Sequence, residues 1–410
     1  MALPKILLAH PGTQHSHKLA KQLAQRNMLY KFVTGLAIKE KGFLHTAVKM
    51  LPSKIKKQLS NRVIADVPSS RLKTFPLAEI KSIAGAKKVT NKEQALFERN
   101  ETFQQKVPVS FIKHSDVVIG FDTSALTLAK RAKAQDKKFI LDVSIAHSAS
   151  KNQVYKNISA NFPSWKFALE EKPVELLVIE QQEYEIADAI VVAGSFTKQT
   201  LIDNGVPEQK IQVNPYGIDI NKFSAKKDYK HNGTIRFLFV GLIDARKGIP
   251  LLMDTIREMD TSKASFTLVG AVDEKATALI NAYQLPNVKF AGKVPHAQVN
   301  TVFTEHDVFV FPSYFEGFGL VILEAMASGL PVIVTDATAG EDCVEDSKEG
   351  FIIKAGDKEG LAKSIHYFID HPEQVEPIGR AARKRAEQFT WDAYGDRWQA
   401  IIEKVLEQKN

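Results

Sequence analysis

Residues 309–335 read FVFPSYFEGFGLVILEAMASGLPVIVT, and the fold is decided here. The apolar run at residues 308–311 gives way to a polar corner at Pro312, Ser313 and Tyr314, and a glycine-spaced EGFG turn then opens a helical segment ending at Gly329. A second apolar run, residues 332–335, follows Pro331. Strand, loop, helix, strand is the unit of a parallel α/β sheet. Chemistry is expected at the loop. Gly317 and Gly319 bracket a place where the backbone approaches something closely or takes a positive φ, and the start of the helix leaves N–H groups unpaired beside it. Such a place suits a phosphate.

Two carboxylates frame the loop. Glu316 precedes the helix and Glu324 lies within it; at about 100° per residue they are roughly 80° apart around the axis and about two turns apart along it. In one reading Glu316 only caps the helix and Glu324 is solvated. In the other both line one wall of a cleft. Leu323, Ala325 and Met326 flank Glu324 in a segment with almost no other charge, where an unpaired carboxylate is costly, and this favours the second.

The run EGFGLVILEAMASGLPVI, with Glu316 and Glu324 separated by seven residues, resembles the signature of the family 4 retaining glycosyltransferases. The resemblance implies the GT-B fold, an α/β architecture of two Rossmann-like, doubly wound domains facing an interdomain cleft.

Composition agrees with a soluble globular chain of two domains: 410 residues, 44% apolar and 25% charged. No apolar run approaches the 18 or so residues of a membrane span. The opening MALPKILLAH is read as a first strand and not as a signal peptide. A single cysteine, Cys343, excludes an internal disulfide and fits a reducing compartment, so a cytoplasmic location is expected. The net charge of +8 is uneven: residues 1–100 carry 19 Lys and Arg against 5 Asp and Glu, whereas residues 101–214 carry 13 against 14. That asymmetry points to an anionic surface or substrate meeting the first hundred residues.

In the first half, apolar runs at residues 6–9, 117–121, 139–145 and 189–192 are spaced by amphipathic segments such as 19–25 and 126–134, a doubly wound pattern. Residues 42–62 depart from it. Phe43, Leu44, Val48, Met50 and Leu51 alternate with Lys49, Lys54, Lys56 and Lys57. Two readings stand: a surface helix broken at Pro52, or a peripheral contact with the anionic inner face of a membrane. The loop HPGTQHSH at residues 10–17 holds three histidines but no carboxylate or thiol that would complete a metal site. Gly12 is read instead as a backbone approach point for a donor in the cleft. Family 4 enzymes usually carry a glycine pair here, and this chain has only Gly12. His147, at the end of FILDVSIAH, is either a satisfied polar residue at a strand end or, by the resemblance, the histidine that meets the donor sugar near the reacting centre.

Asn214 to Asp219 (NPYGID) form a turn-rich hinge, so residues 1–214 are expected to be the acceptor-binding domain and 215–389 the nucleotide-sugar domain. Strands are expected at 236–240, 265–269, 288–290, 308–311, 332–335 and 351–353. Trp391, Tyr394 and Trp398 suit a final helix, 390–410, that docks back on the first domain, as the last helix does in GT-B proteins, and are equally compatible with a plain terminal core helix. After the first of these strands comes GLIDARKG, from Gly241, with Arg246 and Lys247 at a helix start. Two cations there oppose the helix dipole unless an anion is bound, and together they can neutralise a diphosphate. No D-x-D is present, so metal-independent donor binding is expected, with no cofactor.

The resemblance implies the rest. Arg246 and Lys247 hold the diphosphate and offset charge on the leaving nucleotide. Glu316 meets sugar hydroxyls, and backbone N–H groups of Phe318, Gly319 and Leu320, after Gly317, face sugar and phosphates. Glu324 accepts from the ribose, and the base lies near Gly292 and Val294. The enzyme implied moves a sugar, with retention, from a nucleotide-diphosphate sugar to a glycan or lipid-linked acceptor in cell-surface polysaccharide synthesis, with no nucleic acid among its partners. Retention by front-face attack and retention through a covalent intermediate both stay open. The competing readings are a GT-B nucleotide-sugar epimerase and an inactive nucleotide-sugar-binding scaffold at a membrane.

Overall fold

The computed structural model describes residues 3–13, 15–39, 62–64, 66–76, 92–230 and 232–408. Apart from Arg62, residues 42–62 lie outside these, so both readings of that stretch, and its lysines, lie outside the described residues.

Two parallel sheets form the body. The first comprises β1 (Ile6–His10), β2 (Leu29–Thr34), β5 (Leu72–Thr74), β6 (Val117–Phe121), β7 (Lys138–Val143), β8 (Ala189–Val192) and β9 (Ile211–Val213), in the order β5-β2-β1-β6-β7-β8-β9. Between β2 and β5 in sequence, β3 (Ile38–Lys39) and β4 (Val63–Ile64) pair separately. The second sheet holds β10 (Ile235–Val240), β11 (Ala264–Val269), β12 (Val288–Gly292), β13 (Val308–Phe311), β14 (Val332–Thr335) and β15 (Gly350–Ile353), in the order β12-β11-β10-β13-β14-β15. All six strands expected there are present. β1, β6, β13 and β14 are buried at every residue, as parallel strands covered by helices on both faces must be.

In each sheet the order reverses beside the first strand, at β1/β6 and at β10/β13. Loops leaving the carboxyl ends of the strands at such a point diverge and open a crevice for a ligand. The EGFG loop follows β13 and GLIDARKG follows β10, so both stand at the second sheet's switch point.

The chain crosses between the domains twice, side by side. Ile218 N donates to the Phe389 carbonyl at 2.8 Å, and a Cβ on Gly217 would lie 2.4 Å from the Trp391 nitrogen. The last helix, Trp391–Glu407, buries Tyr394, Trp398 and Ile402. It lies along the helix Ser16–Gln25 of the first domain, where Arg26 donates to Asp396 Oδ1 at 2.6 Å and to the Asp392 carbonyl at 2.7 Å. Past the first crossing, Lys226 fastens the chain to the second sheet's side: its buried ammonium donates to Asp307 Oδ1 at 2.8 Å.

Candidate active site

Between the domains lies an open cleft of about 560 Å³. The second domain supplies Gly241, Arg246, Lys247, Glu316, Glu324 and the backbone run Gly317 to Leu320; the first supplies Ser144, Ile145 and the hinge residue Tyr216.

The backbone explains the glycines. Gly319 caps the helix Leu320–Ala327 with φ of 88°, in the left-handed region that disfavours a side chain. Gly317 is required for a different reason: a Cβ there would lie 2.0 Å from the Ser144 carbonyl oxygen. The close approach expected at the EGFG turn is therefore made by the loop after β7 of the other domain. Further contacts fix it. Thr197 Oγ1 donates to the Gly317 carbonyl at 3.0 Å, and Asp342 accepts from Ser195 N at 2.9 Å and Ser195 Oγ at 2.7 Å at the start of the helix Ser195–Asp203.

The charges interlock. Glu316 Oε1 accepts from Lys247 Nζ at 2.5 Å, Arg246 Nη1 at 3.1 Å and Ser313 Oγ at 2.7 Å. Arg246 also donates to the Phe315 carbonyl at 2.7 Å, and the Lys247 ammonium stands over the Phe311 ring. The expectation that the two cations need an external anion is thus corrected: Glu316 already counters them, through one oxygen. Burial lowers the Lys247 pKa against the pull of Glu316, while for Arg246 the attraction of Glu316 and Asp244 outweighs burial and raises it. Burial pushes the Glu324 carboxyl up to about 7, as expected of a carboxylate in an apolar helix.

Other predicted residues stand elsewhere. Gly12 does not line the cleft; its carbonyl accepts from Thr34 Oγ1 at 3.4 Å and its α-carbon faces the His10 ring. His147 does not line it either. Its Nδ1 accepts from Ala149 N at 3.1 Å, capping the helix Ser148–Asn161, and burial lowers its pKa. Gly292, with φ of 66°, and Val294 lie off the cleft at the end of the edge strand β12, whereas Val299 lines it. Among the described residues no three His, Cys, Asp or Glu side chains gather as a metal site. His15 donates or accepts with Asp142 at 2.8 Å and with the Tyr216 hydroxyl at 3.0 Å, bracing the hinge.

Ser144, Ile145 and Tyr216 went unread as site residues. The first two contribute backbone or apolar surface, which leaves no mark in composition; Tyr216 could have been found, since NPYGID marks the hinge.

Residues 221–385 match the family described as glycosyl transferases group 1. The chain is 25% identical over 238 residues to the putative colanic acid biosynthesis glycosyltransferase WcaL of Salmonella typhimurium, a match covering 55% of this chain and 59% of that relative's length. Two solved structures superpose over nearly the whole chain. Sucrose-phosphate synthase of Thermosynechococcus elongatus does so with a TM-score of 0.65 at 18% identity, covering 98% of this chain and 99% of its own. HepE of Anabaena, in complex with UDP and glucose, gives 0.64 at 15% identity, covering 98% and 100%. At such identities the likeness shows the fold, which is GT-B.

Proposed function

We propose that this chain, whose residues 221–385 form a group 1 glycosyl transferase domain, transfers a sugar with retention from a nucleotide-diphosphate sugar to a glycan or lipid-linked acceptor in polysaccharide synthesis. One observation carries the reading: Arg246, Lys247, Glu316, Glu324 and the glycine-capped helix Leu320–Ala327 converge on one interdomain cleft. HepE, similar in fold, holds UDP and glucose, and WcaL is named for colanic acid synthesis; both fit the reading.

In this mechanism the donor's diphosphate enters beside the helix start and takes Lys247 and Arg246 from Glu316. The cations then offset charge as it builds on the leaving nucleotide, which is where electrostatic preorganisation lowers a barrier most. Glu316, released, accepts from sugar hydroxyls. Glu324 accepts from the ribose, and the base extends past Val299 toward Gly292 and Val294. His147 acts through its cap, holding residues 144–148 against Gly317. No metal is required, because two side-chain cations and the helix amides do its electrostatic work. The basic first hundred residues, 42–62 above all, would hold the enzyme at the inner face of a membrane. Neutralising Lys54, Lys56 and Lys57 should then reduce sedimentation with anionic vesicles.

The test is a thermal-shift and mass-spectrometric screen against UDP-, GDP- and ADP-sugars, with and without EDTA. A donor that stabilises the fold and slowly yields free nucleotide, unaffected by EDTA, is the expected result. Conversion of the nucleotide sugar to an epimer would favour an epimerase, and binding without release of nucleotide a scaffold.

A further inference from the structure

The hinge residue Tyr216 reaches the wall of the donor cleft, yet the groups that hold its hydroxyl lie outside that wall. The hydroxyl meets His15 Nδ1 at 3.0 Å, and His15 Nε2 meets Asp142 Oδ2 at 2.8 Å. Tyr216 is 7% exposed, Asp142 3% and the His15 side chain 7%, so water hardly competes for these bonds. A carboxylate only accepts. His15 therefore carries a proton on Nε2 and donates to Asp142, and in the neutral ring Nδ1 is left to accept from the Tyr216 hydroxyl. Asp142 chooses the tautomer, and the tautomer fixes the tyrosine.

These side chains come from distant parts of the sequence. Asp142 lies in β7, His15 precedes the helix Ser16–Gln25, and Tyr216 belongs to the first crossing between the domains. The tyrosine ring in turn meets the second domain. Phe318 of the EGFG turn stands edge-on to it with centroids 5.2 Å apart, and Trp391 and Tyr394 of the last helix stand at 6.4 and 6.0 Å. Phe318 is buried, and its carbonyl accepts from Ala339 N at 2.8 Å, while Glu316 N donates to the Ala337 carbonyl at 3.0 Å. Where the Phe318 ring sits decides where its backbone sits, and that backbone opens the helix Leu320–Ala327.

The other contacts between this loop and the first domain leave Phe318 free to slide. The approach to Ser144 and the bond from Thr197 both act on the backbone of Gly317. The Phe318 side chain is backed instead by Tyr216 and by Gly194, where a Cβ would lie 3.6 Å from the ring. Ring-on-ring packing tolerates a range of offsets, whereas a hydrogen bond is strict in distance and angle. The bond to His15 therefore gives the tyrosine, and through it Phe318, a defined place. Such definition matters in a reaction site, where a shift on the order of 1 Å can cost about 100-fold in rate.

We propose that the hydrogen-bonded chain from Asp142 through His15 to Tyr216 is a positioning device for sugar transfer: it sets Tyr216 against Phe318 and so aims the amides at the start of the helix Leu320–Ala327. His15 is then a positioning residue of the reaction, although it does not line the donor cleft. The proposal rests on the glycosyltransferase reading and deepens it, because the first domain shapes the donor chemistry of the second. The effect belongs to turnover more than to affinity. Amides slightly off their aim still bind the ground state, whereas stabilisation of developing charge depends on where they point.

The experiment compares the full chain with His15→Ala, His15→Gln, Tyr216→Phe and the double variant of His15→Ala with Tyr216→Phe, in two readouts. The first is amide hydrogen exchange at Glu316 and Ala339, which tie the EGFG turn to the loop after β14, with β10 as internal reference. Exchange at both amides should quicken at least about threefold in His15→Ala and Tyr216→Phe, as loss of one hydrogen bond implies, while β10 keeps its rate. The second readout is release of nucleotide from UDP-glucose, GDP-mannose and ADP-glucose. On a donor that the wild type turns over, kcat should fall about tenfold in both single variants with KM within about threefold. The double variant should fall no further, since both changes cut one chain. His15→Gln, whose amide can donate to Asp142 and accept from Tyr216, should recover most of the loss. Unchanged exchange in both single variants, faster exchange in β10 as well, losses that add in the double variant, or a loss confined to KM would each overturn the proposal. Release from none of the three donors, with exchange at Glu316 and Ala339 responding as expected, would instead sink the glycosyltransferase reading and leave the positioning chain standing.

Discussion

Glu316 and Glu180 occupy opposite sides of the loop at residues 144–148, and they are partnered very differently. Three donors converge on Oε1 of Glu316, two of them cations. Glu180 has one lysine on Oε1 and, among the described residues, nothing on Oε2. The donor side is a closed circuit, which under the proposed function a diphosphate would break into, exchanging one anion for another. On the first-domain side the unpartnered oxygen is sealed from solvent. Glu316 stands on an open cleft where an incoming anion can compete for its cations, whereas Glu180 is packed away beside its single lysine.

Breaking the circuit should have the largest effect. In the proposed mechanism Lys247→Ala removes the cation that faces the growing charge of the leaving group, and turnover at saturating donor should fall at least about 100-fold; a loss within tenfold would contradict the role. Gly317→Ala attacks the partition itself. Its Cβ would lie 2.0 Å from the Ser144 carbonyl, with backbone on the other side that cannot give way as a flexible side chain would. The domains must then part, and a misplacement of that order costs roughly 100-fold in rate. Small-angle scattering should show a more open molecule with its unfolding temperature nearly kept; wild-type turnover would show that the contact is incidental.

Glu324 sharpens the comparison through pH. Burial pushes its carboxyl up to about 7, and in the proposed mechanism ribose hydroxyls donate to the ionised form. Below neutrality, then, nucleotide binding must first remove a proton, and affinity should fall by up to about tenfold per pH unit between pH 7 and 5. Above pH 7 this contribution levels off. Calorimetry should find the slope in the wild type and lose it in Glu324→Gln; an identical slope in both would remove Glu324 from the ribose. The smallest effect is expected at the domain contact. Asp342→Asn weakens the acceptor for Ser195 N and Oγ, and should cost on the order of 1 kcal/mol, read as a modest drop in unfolding temperature.

The two halves also differed in how much their residues disclosed. All six strands of the second sheet were legible, as were Glu316, Glu324, Arg246 and Lys247, because continuous apolar runs and a glycine-spaced loop mark a buried parallel sheet with a helix start. In the first domain β2 and β5 were missed. Lys31 and Lys73 interrupt their apolar pattern, since these strands lie at and next to the sheet edge, where side chains reach solvent. Residues 144–148 were read for their histidine, but the structure uses that ring as a helix cap and leaves Ser144 and Ile145 as the cleft wall. The first-domain cavity lined by Glu180 was invisible for a plainer reason. Asn100, Ile145 and Glu180 come from three separate segments, and only tertiary packing brings them to one cavity.

The most direct test of the donor account is a titration of UDP, GDP and ADP, each against its nucleoside, into wild type and Lys247→Ala in the presence of EDTA. The account predicts that one diphosphate binds the wild type at least about tenfold more tightly than its nucleoside, as a charge-assisted contact implies, and that the gap shrinks in the variant. Equal affinity of diphosphate and nucleoside, or a gap that EDTA abolishes, would contradict it.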